Sequence, residues 1–158
     1  GVQTCALPIS RDIAQRLEDR KLPLDNLSTL LLLVGERLAT VMGGSSGVLM
    51  SIFFTAAGQK LHDGQPLPDA LLSGLAQMKQ YGGADLGDRT LIDSLQPALE
   101  ALLKGDIEAA AKAAQYGAEA TAKMAKAGAG RSSYVNKENL DGVMDPGAVA
   151  VAECLRPW

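Results

Sequence analysis

The sequence predicts an all-α protein, an up-down antiparallel arrangement of helices. Apolar residues recur at three- and four-residue spacing in most of the chain, and no segment alternates apolar and polar residues over the length of a strand. Most predicted connections are short, which favours antiparallel neighbours. Because hydrophobic residues make up 47% of the 158 residues and aromatic residues only 4%, we expect an aliphatic core.

In the first half of the chain the spacing predicts helices at residues 24–41, 48–61 and 69–81, after a helix that ends near Asp19. The first of the three carries one apolar stripe, formed by Leu27, Leu30, Leu31, Val34, Leu38 and Val41. The second is apolar on most sides, which predicts deep burial. Gly82 and Gly83 close the third.

In the second half the pattern predicts helices at 88–104 and 106–127, with Asp88 and Asp106 as N-caps. The second of these has an alanine face that lets neighbouring helices approach closely. A polar loop over residues 128–145 follows, and loops of this length are usually functional or disordered. Asp145 as N-cap and Pro146 in the first turn predict a last helix.

Charge and composition exclude several classes of partner. The net charge is -3 and the basic residues are scattered, which argues against nucleic acid. The longest apolar run, residues 30–34, is too short to span a membrane, and no signal peptide is visible. Cys5 and Cys154 form no metal or disulfide pattern, so we expect a reducing, cytoplasmic setting.

Residues 1–9 read GVQTCALPI, which resembles the translation of a common sequencing-adapter oligonucleotide. We therefore expect the natural sequence to begin near Ser10 or Arg11, with residues 10–158 forming a single helical domain. The alternative is a genuine loop. If residues 1–9 are translated adapter, the gene was cut at the edge of a sequence fragment, and Cys5 is no part of the natural protein.

The segment Met42-Gly-Gly-Ser-Ser-Gly47 interrupts two apolar helices. Such a break leaves unpaired backbone N–H groups and hydroxyls at the start of the second helix, an arrangement that can hold a phosphate. A glycine-serine turn is equally ordinary helix punctuation. The segment alone leaves both interpretations open.

Familiar catalytic constellations are absent from the sequence. The one histidine, His62, lies in a turn rich in glycine and proline, and there is no Walker-type loop or dinucleotide fingerprint. Four polar breaks remain, at residues 42–47, 82–90, 130–134 and 145–147. In an up-down bundle alternate connections fall at the same end, so three helix N-termini and Arg131 can share one rim. Such a rim suits a nucleotide diphosphate.

In order and spacing, the motifs MGGSSG, GDRT, GRSSY and DPGA resemble the nucleotide-binding (L) subunit of dihydroxyacetone kinases, which is also the C-terminal domain of the single-chain ATP-dependent enzymes. The resemblance covers about residues 11–150. It implies a barrel of eight up-down antiparallel helices with the nucleotide at one rim, here without its first helix.

Carried over by motif, the resemblance implies a set of residues that bind ADP or ATP. Ser45 and Ser46 would meet the phosphates at a helix N-terminus, and Arg131 would lie near them. Gly82 and Leu91 would line the adenine pocket. The nucleotide's other side would be closed by Asp145, Pro146 and Gly147.

The resemblance also implies magnesium ions held by a cluster of aspartates, and nothing in residues 11–25 matches that cluster. Asp12, Asp19 and Asp25 are spaced as helix-surface and cap residues. No metal-binding or catalytic residue is therefore assigned in this chain, and the magnesium ligands are expected in a missing N-terminal segment. The chain is expected to bind ADP weakly and to be inactive alone.

The function implied is phosphoryl transfer to a hydroxyketone held by a separate K subunit or domain. The phosphoryl donor is either exchanging ATP or a bound ADP that a phosphotransferase-system M subunit rephosphorylates. Two alternatives stay open. One is the nucleotide domain of a related tetrulose or fatty-acid kinase, and the other is a helical interaction module that binds no nucleotide.

Overall fold

The computed structural model describes the backbone of residues 2–156 and the side chains of 8–130, 133–136 and 138–156. Most of the adapter-like segment therefore lies outside the described side chains. Every regular element among residues 2–156 is helical, which confirms the all-α prediction. The chain divides between Gly82 and Gly83 into two compact units, and the barrel stays a prediction.

The first unit contains four helices: α1 (Val2–Glu18), α2 (Leu27–Val41), α3 (Gly44–His62) and α4 (Leu67–Gly82). Helices α2 and α3 form an antiparallel hairpin. The Ser28 hydroxyl near the start of α2 donates to the carbonyl of Gly58 near the end of α3, at 3.0 Å. Gly35 lies against Thr55, since a methyl group at Gly35 would be 2.4 Å from Thr55 Oγ1.

Helix α4 packs antiparallel on α3 through a second glycine contact. A methyl group at Gly74 would lie 2.5 Å from the carbonyl oxygen of Phe53. Small residues thus bring the backbones close, and the apolar side chains between the helices become buried. The buried residues of this core include Leu31, Leu38, Phe53, Ala57, Leu75 and Met78. Deep burial was predicted for residues 48–61, which belong to α3. This prediction is wrong at Val48, which is 56% exposed.

The second unit contains α5 (Ile92–Leu103), α6 (Ile107–Thr121), a short 3₁₀ helix (Arg131–Tyr134), α7 (Lys137–Leu140) and α8 (Pro146–Leu155). Helices α5, α6 and α8 pack against one another. Alanine dominates their shared core: Ala98, Ala114, Ala118, Ala148 and Ala152. The predicted alanine face of α6 is confirmed at Ala110, Ala114 and Ala118, which are buried, whereas its predicted extension to Ala125 is wrong because Ala125 lies beyond the end of α6 and is exposed.

Two helix starts differ from the sequence prediction. Helix α3 begins at Gly44, so Ser45, Ser46 and Gly47 lie in its first turn rather than before it. Helix α5 begins at Ile92, and Asp88 is not its N-cap. The Asp88 side chain instead accepts a hydrogen bond from the Asp85 N–H, at 2.7 Å, and so stabilises the preceding turn.

Helix α6 ends at Thr121, six residues earlier than the predicted 127. The predicted polar loop is partly helical, since it contains the 3₁₀ helix and α7. Two caps are confirmed: Asp106 accepts from the Ala109 N–H at 2.8 Å, and Asp145 accepts from the Ala148 N–H at 2.9 Å. Within the described residues, no helix combines the length and apolarity that a bilayer crossing requires.

Candidate functional site

The start of α3 is the first candidate, because no side chain caps it. Its N-cap is Gly43, at φ 21°, and Gly44 follows at φ 73°. Positive φ values of this kind suit glycine, which has no Cβ. The N–H groups of a first helical turn have no partner within the helix. Ser45 and Ser46 are exposed in that turn, so N–H groups and hydroxyls are both available to an anion.

Gly47 allows the first turn of α3 to approach the end of α2 closely. A methyl group there would lie 2.7 Å from the carbonyl oxygen of Met42 and 3.1 Å from that of Leu38, both at the end of α2. The first turn of α3 therefore packs directly on the last carbonyls of α2. A larger residue would push the turn away and move the two serines with it.

Gly82, the last residue of α4, is also exposed in this unit. A methyl group on it would lie 3.0 Å from the side chain of Leu49, which is one helical turn beyond Ser45 and Ser46. The structure thus places Gly82 beside the beginning of α3. Three of the eight predicted site residues (Ser45, Ser46 and Gly82) belong to the first unit, and the other five belong to the second.

In the second unit the structure brings together the predicted residues at the starts of α5 and α8. A methyl group at Gly147 would lie 3.0 Å from Asp145 Oδ2 and 3.2 Å from the Leu91 Cβ. Pro146, between them in the chain, is exposed. Leu91, Asp145, Pro146 and Gly147 therefore form one wall, which we call the α8 wall.

Asp145 is buried in this wall and is fixed on both sides. Its N–H donates to the Thr121 hydroxyl at 2.7 Å, and its carboxylate caps α8. Burial raises the pKa of the Asp145 carboxyl, whereas the N–H groups of Ala148 and Gly147 and the positive charge of Arg89 lower it. The balance leaves the pKa above its usual value.

The raised pKa of Asp145 predicts a pH-dependent effect of Asp145→Asn. Above the usual value of 3.8 the unfolded carboxyl releases its proton more readily than the folded one, so folding loses stability as the pH rises through the native pKa. Asparagine keeps a cap acceptor without this loss. We expect the variant to gain stability relative to the parent as the pH rises from 3.8 through the raised native pKa, measured by urea unfolding.

Asp106→Asn, at the exposed N-cap of α6, controls for the replacement of a charged cap as such. A stability difference between Asp145→Asn and the parent chain that does not change with pH would contradict the assigned burial of the charge.

Arg89 and Asp93, which are not among the predicted site residues, organise the turn before α5. The Asp93 carboxylate accepts from the N–H groups of Gly87, at 2.6 Å, and Thr90, at 2.8 Å. Arg89 is 1% exposed and donates to the carbonyls of Leu140 and Val143. The Thr-x-x-Asp spacing of a capping box was a signal for Asp93. No sequence signal marked Arg89 as buried.

Arg131, the predicted phosphate contact, begins the 3₁₀ helix, but its side chain lies outside the part of the chain that the structure describes. The residues described contain no group of three histidine, cysteine, aspartate or glutamate side chains arranged for a metal ion. His62 is exposed at the end of α3.

Comparison with known proteins places these features in a family. The family model described as the DAK2 domain matches residues 9–158. This chain belongs to the DAK2 domain family. The resemblance inferred from the four motifs is therefore confirmed.

Two curated relatives show how far the similarity of this DAK2 domain extends. A dihydroxyacetone kinase of Citrobacter freundii is 61% identical over 145 residues, which are 90% of this chain and 26% of the relative. A putative 3,4-dihydroxy-2-butanone kinase of Solanum lycopersicum is 41% identical over 174 residues, 99% of this chain and 29% of the relative. The chain thus spans less than a third of the length of either relative.

Solved structures of the Citrobacter freundii enzyme agree with the fold. The native form matches with a TM-score of 0.83 and 57% identity. The complex with AMP-PNP and Mg²⁺ matches with a TM-score of 0.79 and 54% identity. Each comparison covers 94% of this chain and 26% of the solved chain.

Proposed function

We propose that this DAK2 domain is the nucleotide-binding part of a dihydroxyacetone kinase. It binds ADP or ATP and supplies the phosphoryl group to a hydroxyketone held by a separate K subunit or domain. The observation that carries the proposal is the uncapped start of α3 with its two exposed serines. The names of the similar proteins and the nucleotide complex of one of them support it.

In this proposal the start of α3 holds the phosphates. Unpaired N–H groups and the positive end of the helix dipole favour a phosphate there, each helix end contributing about 0.3–1 kcal/mol. The hydroxyls of Ser45 and Ser46 add hydrogen-bond donors without charge. Phosphoryl transfer depends mainly on such positioning and on electrostatic stabilisation.

The α8 wall contacts the nucleoside in this proposal. Leu91 offers apolar surface, and Gly147 has no side chain to block an approach to it. These properties suit the flat face of an adenine ring.

The aspartates of the described residues near the N-terminus do not fit a magnesium site. The Asp12 carboxylate binds Arg37 at 2.8 and 2.9 Å and Arg16 at 3.1 Å, and these partners lower its pKa. Asp19 binds Lys21 at 3.0 Å. These carboxylates are neutralised by basic side chains, so we assign them no metal.

We place the reaction in the cytoplasm, which suits the exposed free thiol of Cys154.

Calorimetry with ADP, in the presence and absence of Mg²⁺, tests the proposal on this chain. We expect saturable but weak binding that Mg²⁺ improves little. Micromolar affinity with Mg²⁺ would contradict the assignment of no metal ligand. Failure to bind nucleotide at any accessible concentration would instead favour a helical interaction module.

Arg131→Ala tests the proposed phosphate contact. A guanidinium that binds phosphate oxygens contributes a charge-assisted hydrogen bond, so we expect ADP affinity to fall about tenfold or more and adenosine affinity to stay unchanged. Lys126→Ala removes a positive charge from an exposed site five residues earlier and serves as the control. An equal loss in both variants would reveal a general charge effect rather than a contact.

A tetrulose and a fatty-acid kinase function are the alternatives within the proposal. The Solanum lycopersicum relative carries the name of a kinase for a four-carbon hydroxyketone. A reconstituted assay with a K subunit, Mg²⁺ and either ATP or a phosphotransferase-system M subunit tests whether the missing metal ligands matter. We expect this chain to phosphorylate neither dihydroxyacetone nor the four-carbon ketone at a measurable rate, and turnover of either ketone would contradict that expectation.

A further inference from the structure

Arg89 has an unusual environment for an arginine. It is 1% exposed, and its backbone adopts φ 56°, in the left-handed region that non-glycine residues rarely occupy. Its Nε is buried and has no hydrogen-bond partner among the described residues. Burying a charged side chain is unfavourable unless it is paired and fully hydrogen-bonded, and the unpartnered Nε shows that Arg89 is not, so its contacts need an explanation.

The guanidinium connects two segments that are far apart in sequence. Its Nη2 donates to the carbonyl of Val143 at 2.5 Å and approaches that of Leu140 at 3.4 Å. Leu140 ends α7, and Val143 comes two residues before Asp145, the N-cap of α8. Arg89 therefore joins the turn before α5 to the turn before α8.

Both turns lead directly into the α8 wall. On one side, two residues after Arg89, Leu91 contacts Gly147. On the other side, the Asp145 N–H is held by the Thr121 hydroxyl and the Gly142 N–H by the Ala122 carbonyl, at 3.0 Å. The end of α6 thus fixes one edge of the second turn, while Arg89 fixes it to the α5 side.

We propose that Arg89 is a positioning residue for nucleotide binding, which sets the spacing between Leu91 and Gly147 by holding the carbonyls of residues 140 and 143. The inference rests on the proposed nucleotide function. Because the guanidinium is buried and donates to the backbone, it acts through the wall and does not itself touch the nucleotide. Arginine suits this task since its planar fork offers several donors in fixed directions.

Arg89→Met and Arg89→Lys test the proposal. Methionine keeps an apolar stem without donors, and lysine keeps the charge without the planar fork. We expect adenosine and ADP affinities to fall by the same factor, about tenfold for methionine and less for lysine. We also expect faster amide hydrogen exchange at residues 140–145 in both variants. The affinities are measured by ligand-observed NMR at a temperature where each variant is folded.

Arg20 provides a matched control. It is the other non-glycine residue at positive φ among the described residues, at φ 54°, and it is exposed. Arg20→Met and Arg20→Lys should leave both affinities and the exchange at residues 140–145 unchanged.

Four results would overturn the proposal. Folded Arg89 variants that bind adenosine as well as the parent chain does would show a purely structural role. A loss of ADP affinity with unchanged adenosine affinity would indicate an effect on the phosphates instead. If Arg89→Met does not fold, unchanged adenosine affinity in Arg89→Lys decides against the proposal. A parent chain that binds neither ligand would refute the proposed function itself, and this inference with it.

Discussion

Ser46→Asp is expected to weaken ADP binding by about tenfold or more while leaving the fold intact or slightly more stable. A carboxylate in the first turn of α3 interacts favourably with the helix dipole, worth about 0.3–1 kcal/mol. The same carboxylate repels a phosphate at the same helix end, and two like charges about 4 Å apart near a protein surface cost roughly 1–4 kcal/mol. Stability and affinity therefore change in opposite directions.

The measurement pairs thermal unfolding with an ADP titration. Ser73→Asp, the same substitution in the middle of α4, controls for the added negative charge. It should leave ADP affinity close to that of the parent chain. If Ser46→Asp bound ADP as tightly as the parent chain does, the phosphates would not lie at the start of α3.

Gly117→Ala is expected to cause the largest loss of stability. A methyl group at Gly117 in α6 would lie 2.0 Å from the carbonyl oxygen of Asp93 and 2.8 Å from the Cα of Ser94. Both contacts are to the backbone of α5, so no side-chain rotation relieves them. Overpacking of this kind typically costs about 1–3 kcal/mol, against a gain of at most about 1 kcal/mol from replacing glycine within a helix.

Urea unfolding measures this loss of stability, and Lys112→Ala at an exposed position on the same helix is the control. Lysine and alanine have similar helix propensities, so the control should change stability by only a few tenths of a kcal/mol. Because Asp93 also holds the turn that contains Arg89, Gly117→Ala should speed amide exchange at residues 87–90. An unchanged or higher stability would contradict the close approach of α5 and α6.

The helices could be predicted from the sequence where local signals decided them. Asp106 and Asp145 each precede a strongly helical segment and were predicted correctly as caps. The alanine spacing of α6 also predicted its buried face, because apolar residues at helical spacing form a stripe that faces the core. Such features depend on neighbours within one or two turns.

The starts of α3 and α5 could not be predicted in the same way. Glycine and serine are weak helix formers, yet Gly44 to Gly47 are helical because Gly47 packs on the end of α2. Asp88 has the appearance of a cap, but Asp93 is the residue whose carboxylate holds the turn. At the start of α3 a tertiary contact outweighs local propensity, whereas before α5 a second local carboxylate, Asp93, takes the place of Asp88.

The candidate site depended on the resemblance more than on the residues alone. The glycine-serine segment has an ordinary interpretation until three further motifs follow it in family order. Burial of Arg89 depends on carbonyls more than 50 residues away in the chain, which no local pattern records. The wall made by Leu91 and Gly147 likewise forms only in the folded unit.

The most direct test of phosphate binding at the start of α3 is a titration of the ¹⁵N-labelled chain with ADP, with pyrophosphate and with adenosine, followed by NMR. We predict that the amide signals of residues 44–47 shift with ADP and with pyrophosphate, and that adenosine shifts the signals of residues 91 and 147 instead. Saturation of the chain with ADP without any change at residues 44–47 would contradict the claim that the start of α3 binds the phosphates.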